Sequence, residues 1–169
     1  MHRPPRCLAA LAFIVLFPAS LCAGSMTRVD TFGDWTLLSD AESPHLVCFI
    51  TSEPKSSSPK SAPREAPRAY ISAWPKDGIR SEVSFRMGFK IKKSAQGTAS
   101  VGPAGFKLFG ANDRAFVSDS TQELKLIEAM RRGNTMTIAI ASGGGATVTD
   151  TYSLAGVAAA LQKLQDTCF

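Results

Sequence analysis

Apolar and polar residues alternate with a period of two along the stretch 82–91, in the middle of the chain. The apolar positions are Val83, Phe85, Met87, Phe89 and Ile91. This alternation predicts a β-strand over the whole stretch, with one side buried and the other in water. Glycine-rich segments at 102–105 and 143–145 each separate two short apolar stretches, an arrangement that is typical of β-hairpins.

Shorter apolar stretches predict the other strands. They cover residues 31–38, 45–51, 69–74, 98–101, 106–109, 115–117, 135–141 and 146–152. Neighbouring strands are joined by local turns, and strands and helices do not alternate along the chain. This order favours antiparallel pairing over a parallel sheet with crossover helices.

Two segments have the apolar spacing of amphipathic helices. One begins with the capping-box sequence Ser-Thr-Gln-Glu at 120–123. Its apolar face consists of Leu124, Ile127 and Met130. The other helix follows Ser153, with Cys168 just beyond its end. The predicted fold class is therefore mainly β, an antiparallel β-sandwich with two short helices packed at its ends.

Residues 1–24 differ from the rest of the chain. Two arginines precede an unbroken apolar run at 8–17, and small residues follow it. This order predicts a secretory signal peptide cleaved near Gly24, because the run is much shorter than the roughly 20 residues that span a bilayer. Its removal lowers the formal net charge by two from +5, to +3. An uncleaved anchor and a lipoprotein modified at Cys22 are the alternatives.

The four cysteines reduce to two once the leader is removed, namely Cys48 and Cys168. In an oxidising compartment these two are expected to form a disulfide. The bridge would close a loop of about 120 residues, for which the chain-entropy model gives roughly 4–5 kcal/mol at most. Two buried free thiols are the alternative.

Residues 25–169 are long enough to form a single domain with its own core. Within them the segment 54–68 contains four prolines and four serines and almost no apolar residue. Such a composition predicts a Pro/Ser-rich surface loop that does not pack into the core.

Local motifs for catalysis are scarce in residues 25–169. His45 is the single histidine there, no Gly-x-Ser-x-Gly or Cys-x-x-Cys sequence occurs, and the carboxylates are scattered. We therefore expect no catalytic residues, no metal ligands and no cofactor, and predict that the protein is not an enzyme. The alternative is a hydrolase that uses two dispersed carboxylates, which would have to converge in a cleft with a shifted pKa.

Five basic residues are candidates for a binding strip. Arg86 and Lys90 share the solvent-facing side of the predicted strand at 82–91, and Lys92, Lys93 and Lys107 follow nearby. Together they predict a cationic strip for an acidic glycan, a lipid headgroup or a cell surface. The alternative is a solvated edge that resists strand-to-strand aggregation. Nucleic acid is not expected as a partner, nor is a membrane span after leader removal.

Several motifs resemble the invasion-associated locus B family. They are Phe32-Gly33-Asp34-Trp35, Val47-Cys48-Phe49, Ala69-Tyr70-Ile71, the segment 78–84, and above all Thr149-Asp150-Thr151-Tyr152-Ser153-Leu154 ahead of an alanine-rich helix and Cys168. The resemblance covers essentially all of residues 25–169, although the loop at 54–68 looks longer than is usual in the family.

The resemblance implies an exported protein of Gram-negative type with an immunoglobulin-like β-sandwich. The family takes its name from a role in host-cell invasion, and no catalytic residues can be carried over from it. We therefore expect a periplasmic or secreted, non-enzymatic protein whose partner is an envelope or host-surface protein or an acidic glycan.

Overall fold

A computed structural model describes residues 26–40, 45, 47–60 and 64–169. Within them the strands are β1 Thr27–Phe32, β2 Trp35–Ser39, β3 Cys48–Ser52, β4 Ser56–Ser58, β5 Arg68–Trp74, β6 Ile79–Arg86, β7 Gln96–Val101, β8 Ala104–Ala111, β9 Arg114–Val117, β10 Thr135–Ala141 and β11 Thr147–Ser153. The helices are α1 Ser120–Arg132 and α2 Val157–Cys168, and a short 3₁₀ turn covers Pro75–Asp77. The predicted leader at 1–24 lies outside the described residues.

All eleven described strands belong to one antiparallel sheet, in the order β1-β2-β3-β5-β6-β9-β8-β7-β10-β11-β4. The mainly β, antiparallel prediction is confirmed, as are the hairpins β7–β8 and β10–β11. The sheet folds over a single core into a β-sandwich-like architecture. Its two ends meet where Asp34 N donates to Ala155 O at 3.1 Å and Trp35 Nε1 donates to Ser153 O at 3.1 Å.

The inner side of the sheet is apolar because side chains alternate along each strand. Leu37, Ile50, Ile71 and Val83 are register partners on β2, β3, β5 and β6, and all four are buried. The side chains between them therefore face outward, and this outer side carries the candidate site described below.

The two helices cover the open sides of the core. Helix α2 packs against β2 and β3 and against α1, and it buries Leu161 and Leu164. Cys168, in the last turn of α2, forms a disulfide with Cys48 at the start of β3. The predicted bridge is therefore present, although Cys168 is part of the helix rather than beyond it.

The alternating stretch at 82–91 is not one strand. β6 ends at Arg86, and Gly88 adopts φ +72°, which is outside the β region. A Cβ on Gly88 would lie 1.8 Å from the carbonyl oxygen of Glu65. The chain turns here because another segment presses against its backbone, a tertiary contact that periodicity does not reveal.

Other elements also begin or end at residues that differ from the predicted ones. The predicted strand at 31–38 is two strands, β1 and β2, because Gly33 adopts a left-handed turn conformation between them. The N-cap of α1 is Asp119, whose carboxylate accepts from Gln122 N at 2.9 Å, so the capping box at 120–123 is wrong by one residue. Leu124, placed on the apolar face, is 60% exposed, and Leu126 is buried instead.

Two parts of the segment at 54–68 contact the rest of the described chain. Ser56–Ser58 form β4, which pairs with β11. Further along, Arg64 donates to the wholly buried carboxylate of Asp150 at 3.0 Å and to Met87 O at 2.8 Å. We call residues 53–60 and 64–67 the strap. A polar segment docks here because its hydroxyl and guanidinium groups satisfy a buried charge rather than filling apolar space.

None of the helices in the described part of the chain is sufficiently long and apolar to cross a membrane.

Candidate binding face

Three arginines lie side by side on the outer side of the sheet. Arg68, Arg86 and Arg114 are direct register partners on the adjacent strands β5, β6 and β9. The next row in the same register faces the core and consists of Ala69, Phe85 and Ala115. Like charges directly opposite one another weaken strand pairing. Strand pairing by itself therefore does not explain the arginine row, which is a candidate site for binding anions.

Carboxylates of the strap already contact two of the three guanidinium groups. Arg68 forms an ion pair with Glu53, and Arg86 forms one with Glu65. Arg86 is also 3.4 Å from Asp113 Oδ2. The glutamate side chains are 65% and 78% exposed, against 33% and 30% for their arginine partners. The arginines are thus held on the sheet, whereas the glutamates reach them from the solvent side.

The third arginine contacts an aromatic ring instead. The Arg114 guanidinium carbon is 5.1 Å from the centre of the Tyr70 ring, a cation–π arrangement that leaves its N–H donors available. No carboxylate among the described residues lies within salt-bridge distance of Arg114. Arg114 is therefore the least neutralised charge of the row.

Aromatic pairs flank the arginine row on the same side of the sheet. Phe49 and Tyr70 meet edge to face with their ring centres 5.7 Å apart. Phe109 and Phe116 stack at 5.6 Å, and Phe109 is 48% exposed. The outer side of the sheet thus combines guanidinium groups with aromatic rings. We call this surface, from β2 to β8, the binding face.

A groove extends the binding face toward β1. It comprises two adjoining cavities of about 310 and 320 Å³, which share Arg28, Thr36, Thr51 and Arg68 in their walls. The first is floored by aromatic rings, and the second is more polar. Arg28, an exposed residue of β1, adds a further guanidinium group at this end.

The predicted basic strip is arranged differently from the arginine row. Arg86 is part of the row, but Lys90 and Lys92 lie next to the β10–β11 hairpin. There Gly143 N donates to Lys90 O, and Lys92 N donates to Ala141 O. Lys93 follows in the same segment. Lys107 is on the outer side of β8, about 13 Å along the strand from the end that pairs with Arg114.

The structure therefore brings Arg86 together with Arg68 and Arg114 rather than with the lysines. Arg68 is not among the predicted strip residues because it falls within the predicted loop at 54–68, and Arg114 is not among them because it precedes the predicted strand at 115–117. The available signal was an arginine at the end of each of three strands, but only the register shows that they are neighbours.

A second cluster is acidic and lies at the start of α1. Glu82, Asp119 and Glu123 line a cavity of about 270 Å³. Burial raises the pKa of Glu123, and the nearby charge of Glu82 adds to this, although the Val83 N–H, which donates to Glu123 Oε2 at 2.9 Å, opposes it. Within residues 26–40, 45, 47–60 and 64–169, no three His, Cys, Asp or Glu side chains are placed to hold a metal ion.

One family model matches most of the chain. The family model described as "Invasion associated locus B (IalB) protein" matches residues 35–165. Among solved structures, the fold is similar to the crystal structure of invasion associated protein B from Bartonella henselae, with a TM-score of 0.57 and 18% sequence identity, over 81% of this chain and 95% of that one. Curated protein sequences give no significant match.

Proposed function

Because the chain belongs to the invasion associated locus B family, we propose that it is an exported, non-enzymatic protein that binds an anionic partner through the binding face. The observation that carries this is the arginine row, three guanidinium groups in register on adjacent strands. Arginine forks match carboxylate and phosphate geometry, and grouped positive charge attracts such partners.

Export is supported by two features. The first residues have the order of a secretory leader, and the disulfide between Cys48 and Cys168 is of a kind that persists in oxidising compartments outside the cytosol. The partner then belongs to the bacterial envelope or to the surface of a host cell. Cell fractionation followed by intact-mass measurement tests this part, and an uncleaved chain in the cytoplasm would contradict it.

Photo-crosslinking in the producing cells tests the binding face. Phe109, on the face, is 48% exposed, and Phe169, at the end of the chain, is 47% exposed, which makes them matched positions. We expect a photoreactive residue at 109 to give a specific adduct in the envelope fraction and the same residue at 169 to give none. The adduct at 109 should disappear in the variant Arg86→Glu/Arg114→Glu, because charge reversal repels an anionic partner.

An adduct that survives this charge reversal, or that forms equally from position 169, would contradict the proposed binding face. The fold of the charge-reversal variant is checked by circular dichroism. Both arginine side chains are on the outer side of the sheet, so the core packing is expected to persist.

A hydrolase is the second candidate, and the acidic cavity at the start of α1 favours it. A carboxyl group with a raised pKa beside another carboxylate is the usual arrangement of a general acid, and Glu123 beside Glu82 has this character. If the chain is a hydrolase, Glu123→Gln should abolish a turnover that the wild type shows on a panel of glycosides and esters. If it is the binding protein we propose, neither protein turns over any of them.

The same variant has a predictable pH dependence of stability. The pKa of Glu123 is raised above its usual 4.5, so its stabilising contribution is complete below about pH 4.5 and is lost as the pH rises through the folded-state pKa. Glutamine keeps an acceptor for the Val83 N–H but does not titrate. Relative to the wild type, Glu123→Gln should therefore gain unfolding free energy as the pH rises above about 4.5, which urea titrations at each pH measure. A pH-independent difference would contradict the assignment.

A further inference from the structure

We propose that the ligand of the binding face is an acidic polysaccharide, a chain of uronic acid units whose carboxylates replace those of Glu53 and Glu65 on the arginine row. This assignment rests on the proposed function, and it names the ligand class that the same face would take.

The protein's own carboxylates show what the row accepts. Two separate guanidinium groups each hold a glutamate carboxylate that comes from the strap rather than from the sheet. These contacts reproduce the interaction that a carboxylate-bearing ligand would make, because arginine binds carboxylates through paired, charge-assisted N–H···O bonds. The third guanidinium group, that of Arg114, has no carboxylate partner among the described residues and is available to a carboxylate of the ligand.

The row is long enough to meet several units of one chain. Adjacent strands are about 4.8 Å apart, so the three arginines together extend over roughly 10 Å of the sheet. A polysaccharide with a carboxylate on each unit can therefore contact more than one of these arginines.

The aromatic pairs next to the row suit the apolar faces of sugar rings. Phe109 and Phe116 stack on β8 and β9 beside the row, and Phe109 is 48% exposed. A pyranose has one face of C–H groups, which packs on the electron-rich face of an aromatic ring. The binding face thus offers contacts for both the carboxylates and the rings of a uronate chain.

The strap glutamates are placed so that a ligand can displace them. Both are mostly exposed, and exposed ion pairs contribute little to stability because water and salt screen them. The strap itself is anchored elsewhere, through Arg64 and Asp150. Rotation of the two glutamate side chains would free the row while the backbone of the strap stays in place.

Isothermal titration with a hexamer of galacturonic acid, at low salt, tests the assignment on the mature protein. We expect binding to the wild type and at least about tenfold weaker binding to Arg86→Gln/Arg114→Gln, because two charge-assisted contacts are lost. Glu53→Gln/Glu65→Gln should bind more tightly than the wild type, since the competing carboxylates are gone. Arg131→Gln/Arg132→Gln removes the same number of positive charges from helix α1 and should bind as the wild type does.

Two further probes separate the ligand classes. The fully methyl-esterified hexamer keeps the sugar rings and loses the charges, and it should not bind. Poly-glutamate keeps the carboxylates but has no sugar rings to pack on Phe109, and it should bind more weakly than the galacturonate hexamer. If poly-glutamate binds more tightly and in an arginine-dependent way, the polysaccharide is wrong while an anion-binding face stands. If no anion binds, or if neither the arginine nor the glutamate variant changes the affinity, both the ligand class and the proposed site fail.

Discussion

Replacing Arg64 by alanine is expected to lower the free energy of unfolding by about 3–5 kcal/mol. Asp150 is wholly buried on β11, and its carboxylate is satisfied by Arg64 and by the Ser57 hydroxyl, which donates at 2.6 Å. Removing the guanidinium group leaves a buried charge without its counter-charge, which is among the most destabilising changes a protein can undergo. Urea unfolding followed by fluorescence measures the loss.

Arg80→Ala is the matched control. Arg80 also donates to a side chain, Gln165 Oε1 at 3.0 Å, and stacks on an aromatic ring, that of Phe169, but on the exposed surface. Its removal should change the unfolding free energy by less than about 1 kcal/mol. A loss of similar size for Arg64→Ala and Arg80→Ala would contradict the view that the buried ion pair anchors the strap.

Removing the disulfide is the second large effect. In the double variant Cys48→Ala/Cys168→Ala we expect a loss of about 2–5 kcal/mol. The bridge joins residues 120 positions apart, so in the chain-entropy model the unfolded chain gains considerable freedom when the bridge is absent. Alanine at both positions avoids a free thiol that could form intermolecular bridges.

The measurement for this variant is urea unfolding of the mature protein, compared with the wild type with and without reductant. Reduced wild type and the double variant should unfold at similar urea concentrations, below that of the oxidised wild type. A double variant as stable as the oxidised wild type would mean that the packing of α2 alone holds the C-terminus. Since Leu161 and Leu164 are buried there, the helix is expected to stay docked in dilute buffer.

The strands were well predicted where the pattern arises from local chemistry. The stretch 135–141 coincides with β10, and the glycine-rich turn after it was placed correctly, because alternating apolar residues and turn residues act over a few positions. The strand at 82–91 was predicted too long, because Gly88 turns the chain where Glu65 packs against it. That contact joins segments far apart in sequence, which periodicity cannot encode.

The candidate site was only partly predictable for a related reason. Arg86 was named from its position on an alternating strand, but its true neighbours come from strands 18 residues earlier and 28 residues later in the chain. Cross-strand register is set by the whole sheet, and a shift of one residue moves every side chain to the opposite side. The lysines nearest in sequence, Lys90 and Lys92, instead follow the turn at Gly88 toward another hairpin.

The strap was the least predictable element. Its composition of proline, serine and charged residues is typical of unpacked segments, yet it supplies a strand, the counter-charge of Asp150 and both glutamates of the arginine row. The strap docks because the buried aspartate on β11 needs a counter-charge, not because the strap has apolar side chains to bury. No sequence pattern indicates that this aspartate is buried.

The most direct test of the binding face is a nuclear magnetic resonance titration of the arginine side chains. The Nε–Hε signals of Arg68, Arg86 and Arg114 are followed while the galacturonate hexamer is added, with Arg131 and Arg132 of α1 as internal controls. We expect saturable shifts of the three row signals and no change at the two helix arginines. Equal shifts at Arg131 and Arg132, or row signals that do not move, would contradict it.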